Sequence, residues 1–382
     1  MKNIILWLFG LDESSLSDPI VKLGIILSFA LAAACIAVFL ILLIKKRYRI
    51  RRFGNKIWQR TKLVTQSCFF ILTNSFMIGW LKGGIYQGKL KYICVPGMNC
   101  YSCPGAWGAC PIGALQAVLD EFDYKKSWVD PKTGTYVMPP KYWVPFYVIG
   151  FIMIVGALLG RLVCGLLCPF GWVQDLLYKI PVKKLKLPRE DRLIENSKDP
   201  KLVRFLLGVD KYLRFAKYAF LIVMVIFLPL IVKADPWFCK YVCPSGMLLG
   251  GIPLMSANKG LADAAGDLTL LKLSILAVMV VMSVFLYRPF CRYICPLGAL
   301  YSLFNPISLY RYGIDDESCS RCKGCSACAR ACPMGVDPVK NPNSLECIRC
   351  GTCSASCPQK AIHAGVRFKT AEGKALRTSR RK

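Results

Sequence analysis

The sequence of 382 residues contains a single histidine, His363. Most haem centres and catalytic zinc sites use histidine ligands, and the chain has no C-x-x-C-H segment for covalent haem attachment. These shortages argue against haem and against catalytic zinc. Any metal bound by this chain is expected to be held by thiolates, which favours iron–sulfur clusters or all-thiolate zinc.

Acidic residues are also scarce. Asp and Glu together number 22 against 51 Lys and Arg, which gives a net charge of +29, while 55% of the residues are hydrophobic. That combination is typical of a membrane protein with basic loops and is unusual for a soluble nucleic-acid-binding domain. We therefore expect membrane lipid around the chain and no nucleic-acid partner.

Five segments are apolar enough to cross a bilayer, which needs about 20 residues. They lie near 20–44, 63–86, 142–162, 218–232 and 268–287. The second is the weakest, and the fourth is short, so we expect it to begin within "RFLLGVDKYLRFAKYAF".

Basic residues are concentrated in alternate connections. "KKRYRIRRFGNKIWQRTK", "PVKKLKLPREDR" and the tail "RFKTAEGKALRTSRRK" are densely basic, whereas the other loops carry mixed charge. Since positive loops stay in the cytoplasm, the pattern predicts an extracytoplasmic N-terminus and a cytoplasmic C-terminus. "MKNIILWLFGL" has a short apolar stretch without an A-x-A-like site after it, so residues 1–19 are predicted to be interfacial rather than a cleaved signal.

Two cysteine motifs with the spacing R-x2-C-x3-C-P-x-G follow the third and fifth predicted spans. Arg161, Cys164 and Cys168 form the first motif; Arg288, Cys291 and Cys295 form the second. One C-x3-C pair gives two ligands on one face of a helical turn, and a [4Fe–4S] cluster needs four. The repeat predicts that Cys164, Cys168, Cys291 and Cys295 meet near the cytoplasmic ends of the spans and bind one inner cluster, as parallel halves related by an axis along the membrane normal.

Cysteines on the opposite side repeat the pattern less regularly. Cys110 and the pair Cys239 and Cys243 belong to further C-P-x-G segments, but Ala106 stands where the first copy needs its other cysteine. One partition places Cys103, Cys110, Cys239 and Cys243 around a single outer cluster, which we favour. The other places Cys94, Cys100, Cys103 and Cys110 around a cluster and leaves the second pair for another role. A disulfide among the outer thiols is a third interpretation.

The C-terminal region contains two runs of the form C-x2-C-x2-C-x3-C-P, the signature of a bacterial two-cluster ferredoxin. The fourth cysteine of each run binds the other cluster, so the predicted ligand sets are Cys322, Cys325, Cys328 and Cys357 for one cluster and Cys347, Cys350, Cys353 and Cys332 for the other. All-thiolate zinc is the alternative. Cys319 is predicted to be a spare thiol that could replace Cys322. We expect Cys35 and Cys68 to be ordinary packing residues. His363 is expected on a surface loop.

The predicted fold is a membrane all-α helical bundle of about five transmembrane helices in two pseudo-repeated hairpins, followed by a C-terminal α+β two-cluster ferredoxin-like domain. Its parts are the N-terminal segment 1–19, the first helix and loop 20–62, repeat one 63–180, a basic linker 181–217, repeat two 218–310, the ferredoxin domain 311–366 and a basic tail 367–382.

The C-x3-C-P pairs after membrane spans, together with the duplicated ferredoxin run, resemble the NapH/NosR-type integral membrane 4Fe-4S polyferredoxins. The resemblance covers about 63–366, and "NCYSCPGAWGACPIGALQ" resembles a segment of a subset of this family. It implies electron transfer across a membrane in support of an extracytoplasmic reductase or maturation system. The large flavin-binding domain of the nitrous-oxide-related member has no counterpart, so the terminal acceptor does not carry over.

Three functions are compatible with these motifs. The first is a relay through about four [4Fe–4S] clusters, from a cytoplasmic ferredoxin-like or flavodoxin-like donor to an extracytoplasmic acceptor. The second is a quinol dehydrogenase subunit with quinone as a partner. The third is a redox-sensing or maturation protein. Substrate-transforming residues are not evident in the sequence, so the expected role is that of an electron-transfer component.

Overall fold

A computed structural model of the chain describes residues 18–49, 55–121, 143–182, 200–232, 236–319, 325–366 and 376–378. The described residues are mostly helical, with one two-stranded sheet among them. The α-helices are α1 Pro19–Arg49, α2 Asn55–Thr73, α3 Met77–Lys82, α4 Pro111–Glu121, α5 Trp143–Leu159, α6 Pro169–Leu177, α7 Pro200–Ala219, α8 Leu228–Val232, α9 Pro244–Gly246, α10 Ile252–Ala257, α11 Lys259–Asp263, α12 Asp267–Phe285, α13 Pro289–Tyr293, α14 Pro296–Phe304, α15 Ala327–Ala331 and α16 Thr352–Ala355.

Shorter helical turns connect several of these helices. The π-helical stretches are Val163–Leu167, Phe220–Phe227, Phe238–Val242 and Met247–Gly251, and Lys89–Tyr92 forms a 3-10 turn. The strands are β1 Arg311–Ile314 and β2 Ile362–Gly365.

Three of the described helical stretches are long and apolar enough to cross a membrane: Pro19–Val38, Gly208–Val232 and Asp267–Phe285. Only 11% of the third stretch is buried in the protein. Leu270 and Val281 on it are 68% and 57% exposed. A continuous apolar surface of this size is unfavourable in water and favourable in lipid. The chain is therefore a membrane protein, while the count of five spans stays a prediction.

The fourth predicted span is confirmed as an apolar stretch from Gly208 to Val232 within a helical segment that begins earlier, at Pro200. The apolar stretch starts inside the segment expected to contain its start. The second, over 63–86, is wrong as a single helix. Helix α2 ends at Thr73, and α3 begins at Met77 after a bend. The backbone leaves the helix because Phe76 N donates to Gly105 O at 3.0 Å and Ser75 Oγ accepts from Trp107 Nε1 at 2.7 Å.

The chain forms two compact units, and the first lies within the ranges Met1–Phe29, Thr73–Ile154 and Tyr218–Ala277. An aromatic group of Phe76, Tyr86 and Trp107 packs edge to face, with ring centroids 4.9, 5.0 and 5.5 Å apart. Val21 and Ile25 of α1 pack against this group. Each edge-to-face contact contributes roughly 0.5–1.5 kcal/mol beyond burial. The group fixes the loop that carries the first four outer cysteines.

The second unit lies within Ala30–Leu72, Val155–Lys217 and Val278–Lys382 and includes the ferredoxin-type region. Strands β1 and β2 pair antiparallel, with Ile314 opposite Ile362. Both isoleucines are buried against Tyr312 and Val339. His363 lies in β2 and is exposed, so it is a surface residue, but the prediction that it lies on a loop is wrong.

Candidate metal centres

The inner cysteines lie where one helix ends and the next begins. Cys164 belongs to a π-helical turn and Cys291 to α13, whereas Cys168 and Cys295 immediately precede α6 and α14. The residue before a proline avoids the helical region, so both Cys168 and Cys295 are extended, with ψ of 116° and 111°. Each following proline occupies the first position of a new helix, where its missing N–H carries no cost. The proline therefore starts a second helix as well as ending the first.

Helix starts present backbone N–H groups to these thiols. Gly171 N lies 3.4 Å from Cys168 Sγ, and Gly298 N lies 3.3 Å from Cys295 Sγ. Such N–H groups stabilise a thiolate, because they place positive partial charge beside the sulfur. The glycine of each C-P-x-G motif is thus the residue whose amide contacts the sulfur.

The four inner cysteines all belong to the second unit and are all buried. Burial, followed by the neighbouring thiols Cys291, Cys164 and Cys168, raises the pKa of Cys295 well above its usual value. Gln174 Nε2 donates to Cys291 Sγ at 3.3 Å. Cys295 therefore has the other three inner thiols as neighbours, and Cys291 accepts a hydrogen bond from Gln174.

The two motif arginines bind across the pair of motifs. Arg161 Nη2 donates to the carbonyl oxygen of Cys291 at 3.3 Å, and Arg288 Nη1 donates to the carbonyl oxygen of Cys164. Both arginine side chains are fully buried. Each arginine therefore links its own motif to the first cysteine of the other motif.

Buried carboxylates compensate both arginines, and each is shared with a lysine. Arg288 and Lys62 both contact Asp175, at 2.6 and 2.7 Å. Arg161 lies 3.5 Å from Glu346, which also binds Lys217. Each triad contains two cations and one carboxylate and so keeps a net charge of one positive unit. Burial by itself raises the pKa of Asp175, but Arg288 and Lys62 hold it below its usual value, so this carboxylate stays ionised.

One predicted ferredoxin set lines a single cavity. Cys332, Cys347, Cys350 and Cys353 all face a space of about 20 Å³. Burial, followed by Cys332, raises the pKa of Cys347 to about 12. Cys332 belongs to the first cysteine run but lies beside the three cysteines of the second run, as the ferredoxin pattern predicts.

The other ferredoxin set is described in part, since Cys322 lies outside the described residues. Cys328 is buried, and Cys319 and Cys357 pack against the same apolar cluster. Burial, and then Cys357, raises the pKa of Cys328 to about 11. Cys328 and Cys357 therefore come together, with Cys319 as an additional neighbouring thiol.

The ferredoxin region contacts the inner motif through its second cysteine run. A Cβ atom on Gly165 would collide with the carbonyl oxygen of Ile348 and lie 3.4 Å from Cys350 Cα. Arg161 Nη1 donates to Leu345 O at 2.7 Å, and Trp58 Nε1 donates to Cys350 O at 2.8 Å. The turn that carries Cys164 thus packs directly on the run that begins at Cys347.

The outer cysteines belong to the first unit and surround a larger cavity. A space of about 890 Å³ is lined by Cys94, Cys100, Cys110, Cys239 and Cys243. None of these residues forms a disulfide bond in the structure. Cys103 is fully buried outside this lining, and its Sγ donates to Asn74 Oδ1 at 3.3 Å.

Two lysines provide positive charge beside the outer thiols. Lys272 Nζ donates to Cys239 O at 3.4 Å, and the buried Lys91 Nζ donates to Ala106 O at 3.1 Å. Burial lowers the pKa of Lys91 to about 8. The outer region therefore uses lysines where the inner region uses arginines.

The donor chemistry fits a metal–sulfur group. Burial raises the pKa of Cys110 to about 11 and that of Cys243 to about 12, so ionised thiols at these positions need a compensating positive charge. A thiolate-bound metal provides that charge. In the part of the chain that the structure describes, no three His, Cys, Asp or Glu side chains are grouped closely enough for a single metal ion.

The motifs did not reveal every residue of these regions. The predicted site residues did not include five side chains that contact the motif arginines or cysteines or share their carboxylates: Asp175, Glu346, Lys62, Lys217 and Gln174. A usable signal was present, because a charged residue within or beside an apolar span needs a partner. Lys217 lies within such a span, and Asp175 follows an inner motif in a chain that has few acids.

Comparison with known sequences shows iron–sulfur proteins. The family described as "4Fe-4S binding domain" matches three segments, 143–188, 216–260 and 268–311, and a second family with the same description matches 342–363. The segment 216–260 includes Cys239 and Cys243 of the outer region. No solved structure matches the chain.

Relatives among curated proteins include an uncharacterized protein, MJ0750, of Methanocaldococcus jannaschii, which is 30% identical over 221 residues, covering 57% of this chain and 77% of that protein. The regulatory protein NosR of Stutzerimonas stutzeri is 26% identical over 50% of this chain and 22% of its own length. The ferredoxin-type protein NapH of Haemophilus influenzae is 32% identical over 20% of this chain and 30% of its own. The cysteine motifs, the apolar helices and these relatives agree, and the chain belongs to the NapH/NosR-type family of membrane 4Fe-4S polyferredoxins.

Proposed function

We propose that this protein relays electrons across the membrane between a cytoplasmic donor protein and an extracytoplasmic acceptor. The proposal rests on the contact between the second ferredoxin run and the turn of Cys164. When bound at the cysteine sets, [4Fe–4S] clusters supply one-electron carriers whose potentials depend on charge, hydrogen bonding and exposure. Electron tunnelling falls steeply with distance, so direct packing of two cysteine sets favours transfer between them.

The ligand sets that we propose for the cytoplasmic side follow the sequence motifs. The inner cluster is held by Cys164, Cys168, Cys291 and Cys295. The ferredoxin cluster beside it is held by Cys347, Cys350, Cys353 and Cys332. Cys322, Cys325, Cys328 and Cys357 hold the remaining ferredoxin cluster. A further cluster in the outer region completes the path.

Charged side chains adapt the inner set to a buried cluster. The triads around Arg161 and Arg288 together add two positive units, which would offset the net negative charge of a [4Fe–4S] cluster with four thiolate ligands. Gln174 and the amides of Gly171 and Gly298 donate to the sulfurs. These residues stabilise the reduced state and keep water from the sulfurs, because all of them are buried or half-buried.

The donor that fits the predicted cytoplasmic surface is an acidic protein of the ferredoxin or flavodoxin type. The chain carries a net charge of +29, concentrated by prediction in its cytoplasmic loops. Opposite charges accelerate encounter, and salt screens the attraction. We expect the rate of reduction by such a donor to fall as ionic strength rises; a rate that does not change with salt would count against this donor.

Iron analysis with EPR on anaerobically purified protein tests the cluster count, with about sixteen irons per chain expected for four clusters. Transfer is tested in sealed proteoliposomes, with reduced ferredoxin outside and a membrane-impermeant acceptor dye inside. Dye reduction is expected for the wild type. In Cys168→Ser it should be lost while the ferredoxin-type EPR signals persist. Dye reduction by this variant at the wild-type rate would disprove the relay.

A second candidate function, quinol oxidation, is favoured by the size of the outer cavity. Its volume of about 890 Å³ lies in the range of small-molecule sites, roughly 300–1,000 Å³. Leu254, Leu261 and Leu268 line it with apolar surface. Reduction of the purified protein by a menaquinol analogue would support this function, and the absence of any reduction would rule against it.

A further inference from the structure

In both the inner and the outer region, the glycine of a C-P-x-G motif faces a side chain from the other half of the repeat. In the inner set a Cβ atom on Gly298 would lie 3.5 Å from Arg161 Nη2, and one on Gly171 would lie 3.1 Å from Arg288 Nη1. Each motif glycine thus faces a group of the other motif. The equivalent outer glycines are Gly113, after Cys110, and Gly246, after Cys243.

Each outer glycine faces one thiol, and the two thiols occupy equivalent positions in the two halves of the repeat. A Cβ atom on Gly113 would lie 3.7 Å from Cys239 Sγ, and a Cβ atom on Gly246 would lie 3.7 Å from Cys100 Sγ. Cys239 is the first cysteine of the second-half pair. By the same relationship, Cys100 takes the place of the first-half cysteine that the sequence repeat replaces with Ala106.

Cys100 also lies near Cys239 and Cys243. Cys239 has Cys243, Cys110 and Cys100 as its neighbouring thiols. Cys243 has Cys100 and Cys110 as neighbours. All four line the cavity, and Cys100 Sγ lies 4.0 Å from Gly246 O. The four cysteines therefore line one cavity.

Cys103 and Cys94 are placed differently. Cys103 lies outside the cavity lining and donates to Asn74. Cys94 lines the cavity beside Cys110, and its backbone N–H donates to Tyr147 Oη at 3.3 Å. Cys94 has Cys110 as its neighbouring thiol.

We propose that Cys100, Cys110, Cys239 and Cys243 bind the outer cluster, and that Cys103, the ligand favoured by the sequence pattern, is a hydrogen-bonded structural thiol. The assignment rests on the proposed function, because it presumes an outer cluster. It makes Cys100 the fourth ligand, contributed from outside the C-x3-C repeat.

Serine variants of single cysteines test the assignment through iron content and the EPR spectrum of dithionite-reduced protein, purified without oxygen. We expect Cys100→Ser and Cys239→Ser each to lose one cluster of the four. Cys103→Ser and Cys94→Ser should keep wild-type iron and spectra. The ferredoxin-type signals report that each variant is folded.

Aspartate variants provide a second comparison, because a carboxylate can replace a thiolate ligand while it changes the signal. Cys100→Asp is expected to keep its iron with a shifted outer EPR signal, whereas Cys103→Asp should leave the shape and position of that signal unchanged. Loss of iron in Cys103→Ser, or unchanged iron in Cys100→Ser, would overturn the assignment. If Cys239→Ser and Cys243→Ser also kept all their iron, the outer cluster and the relay itself would be wrong.

Discussion

Arg161 and Arg288 exchange partners across the inner centre, each donating to the carbonyl oxygen of the first cysteine in the other's motif. Two consequences follow from this arrangement. The motifs are held at a fixed separation by buried hydrogen bonds, and two cationic groups lie beside the sulfurs. The arginines therefore position the ligands and set the electrostatic potential at the same time.

Replacement of either arginine by glutamine is expected to make reduction of the inner centre less favourable. One buried positive charge is lost, and the reduced state is the more negative one. We expect at least a tenfold fall in the equilibrium constant for reduction, which is about 59 mV for a one-electron couple. An EPR-monitored redox titration measures the shift.

Lysine variants at Arg161 and Arg288 separate charge from geometry. Lysine keeps the charge and loses the planar donor set, so its effect should be smaller than that of glutamine. An unchanged midpoint in both glutamine variants would show that the arginines have no electrostatic role.

Asp175→Asn is expected to destabilise the second unit. Asp175 is 7% exposed and accepts from Arg288, Lys62 and Gln66. Loss of its charge leaves two buried cations without their shared partner, at a cost of about 3–5 kcal/mol. Thermal unfolding in detergent, followed by circular dichroism, measures the change.

The matched control for this variant is Asp316→Asn. Asp316 is 45% exposed and contacts Arg377 at 2.6 Å. Exposed pairs contribute about 1 kcal/mol or less. Equal destabilisation by the two variants would contradict the importance given to the buried triad.

Gly165→Ala is expected to slow electron transfer from the ferredoxin region to the inner centre while iron content stays the same. The added methyl group would meet the carbonyl oxygen of Ile348, so the two segments must separate. Stopped-flow reduction by a ferredoxin donor, observed at the inner EPR signal after freeze-quenching, measures the rate.

Gly150→Ala serves as the control for that rate, because a Cβ atom there meets no atom within 4 Å. Its transfer rate should equal that of the wild type. If Gly165→Ala also transferred at the wild-type rate, the contact at Ile348 would not be part of the path.

Lys272→Gln is expected to lower the midpoint potential of the outer centre and leave the inner centre unchanged. Lys272 Nζ donates to Cys239 O at 3.4 Å, close to the outer thiols. Lys259→Gln is the control, since that lysine is exposed on α11. A redox titration in which both variants match the wild type would remove Lys272 from the electrostatics of the site.

The sequence motifs were sufficient to predict the class of the fold and the type of cofactor. Thiols at ferredoxin spacing have few alternative uses, and apolar runs of about 20 residues need lipid. Cys332 lies beside Cys347, as the ferredoxin spacing predicts, and its role as a cluster ligand stays a prediction.

Other features depend on tertiary contacts that spacing does not contain. The second span was predicted as one helix over 63–86, but Ser75 and Phe76 bind the loop of Gly105 and Trp107 instead of continuing the helix. Glu346 lies far from Arg161 and Lys217 along the chain, so its role could not be predicted from local sequence. The position of Cys100 opposite Gly246 has the same origin.

The exchange of partners between the inner motifs also joins two segments that are synthesised at different times. Cys168 precedes Cys295 by 127 residues, so the first motif leaves the ribosome and enters the membrane long before its counterpart exists. Until then Cys164 lacks the guanidinium that fixes its turn, and the thiols lack half of their number. The four cysteines of this set are therefore all present only after the second motif has been synthesised.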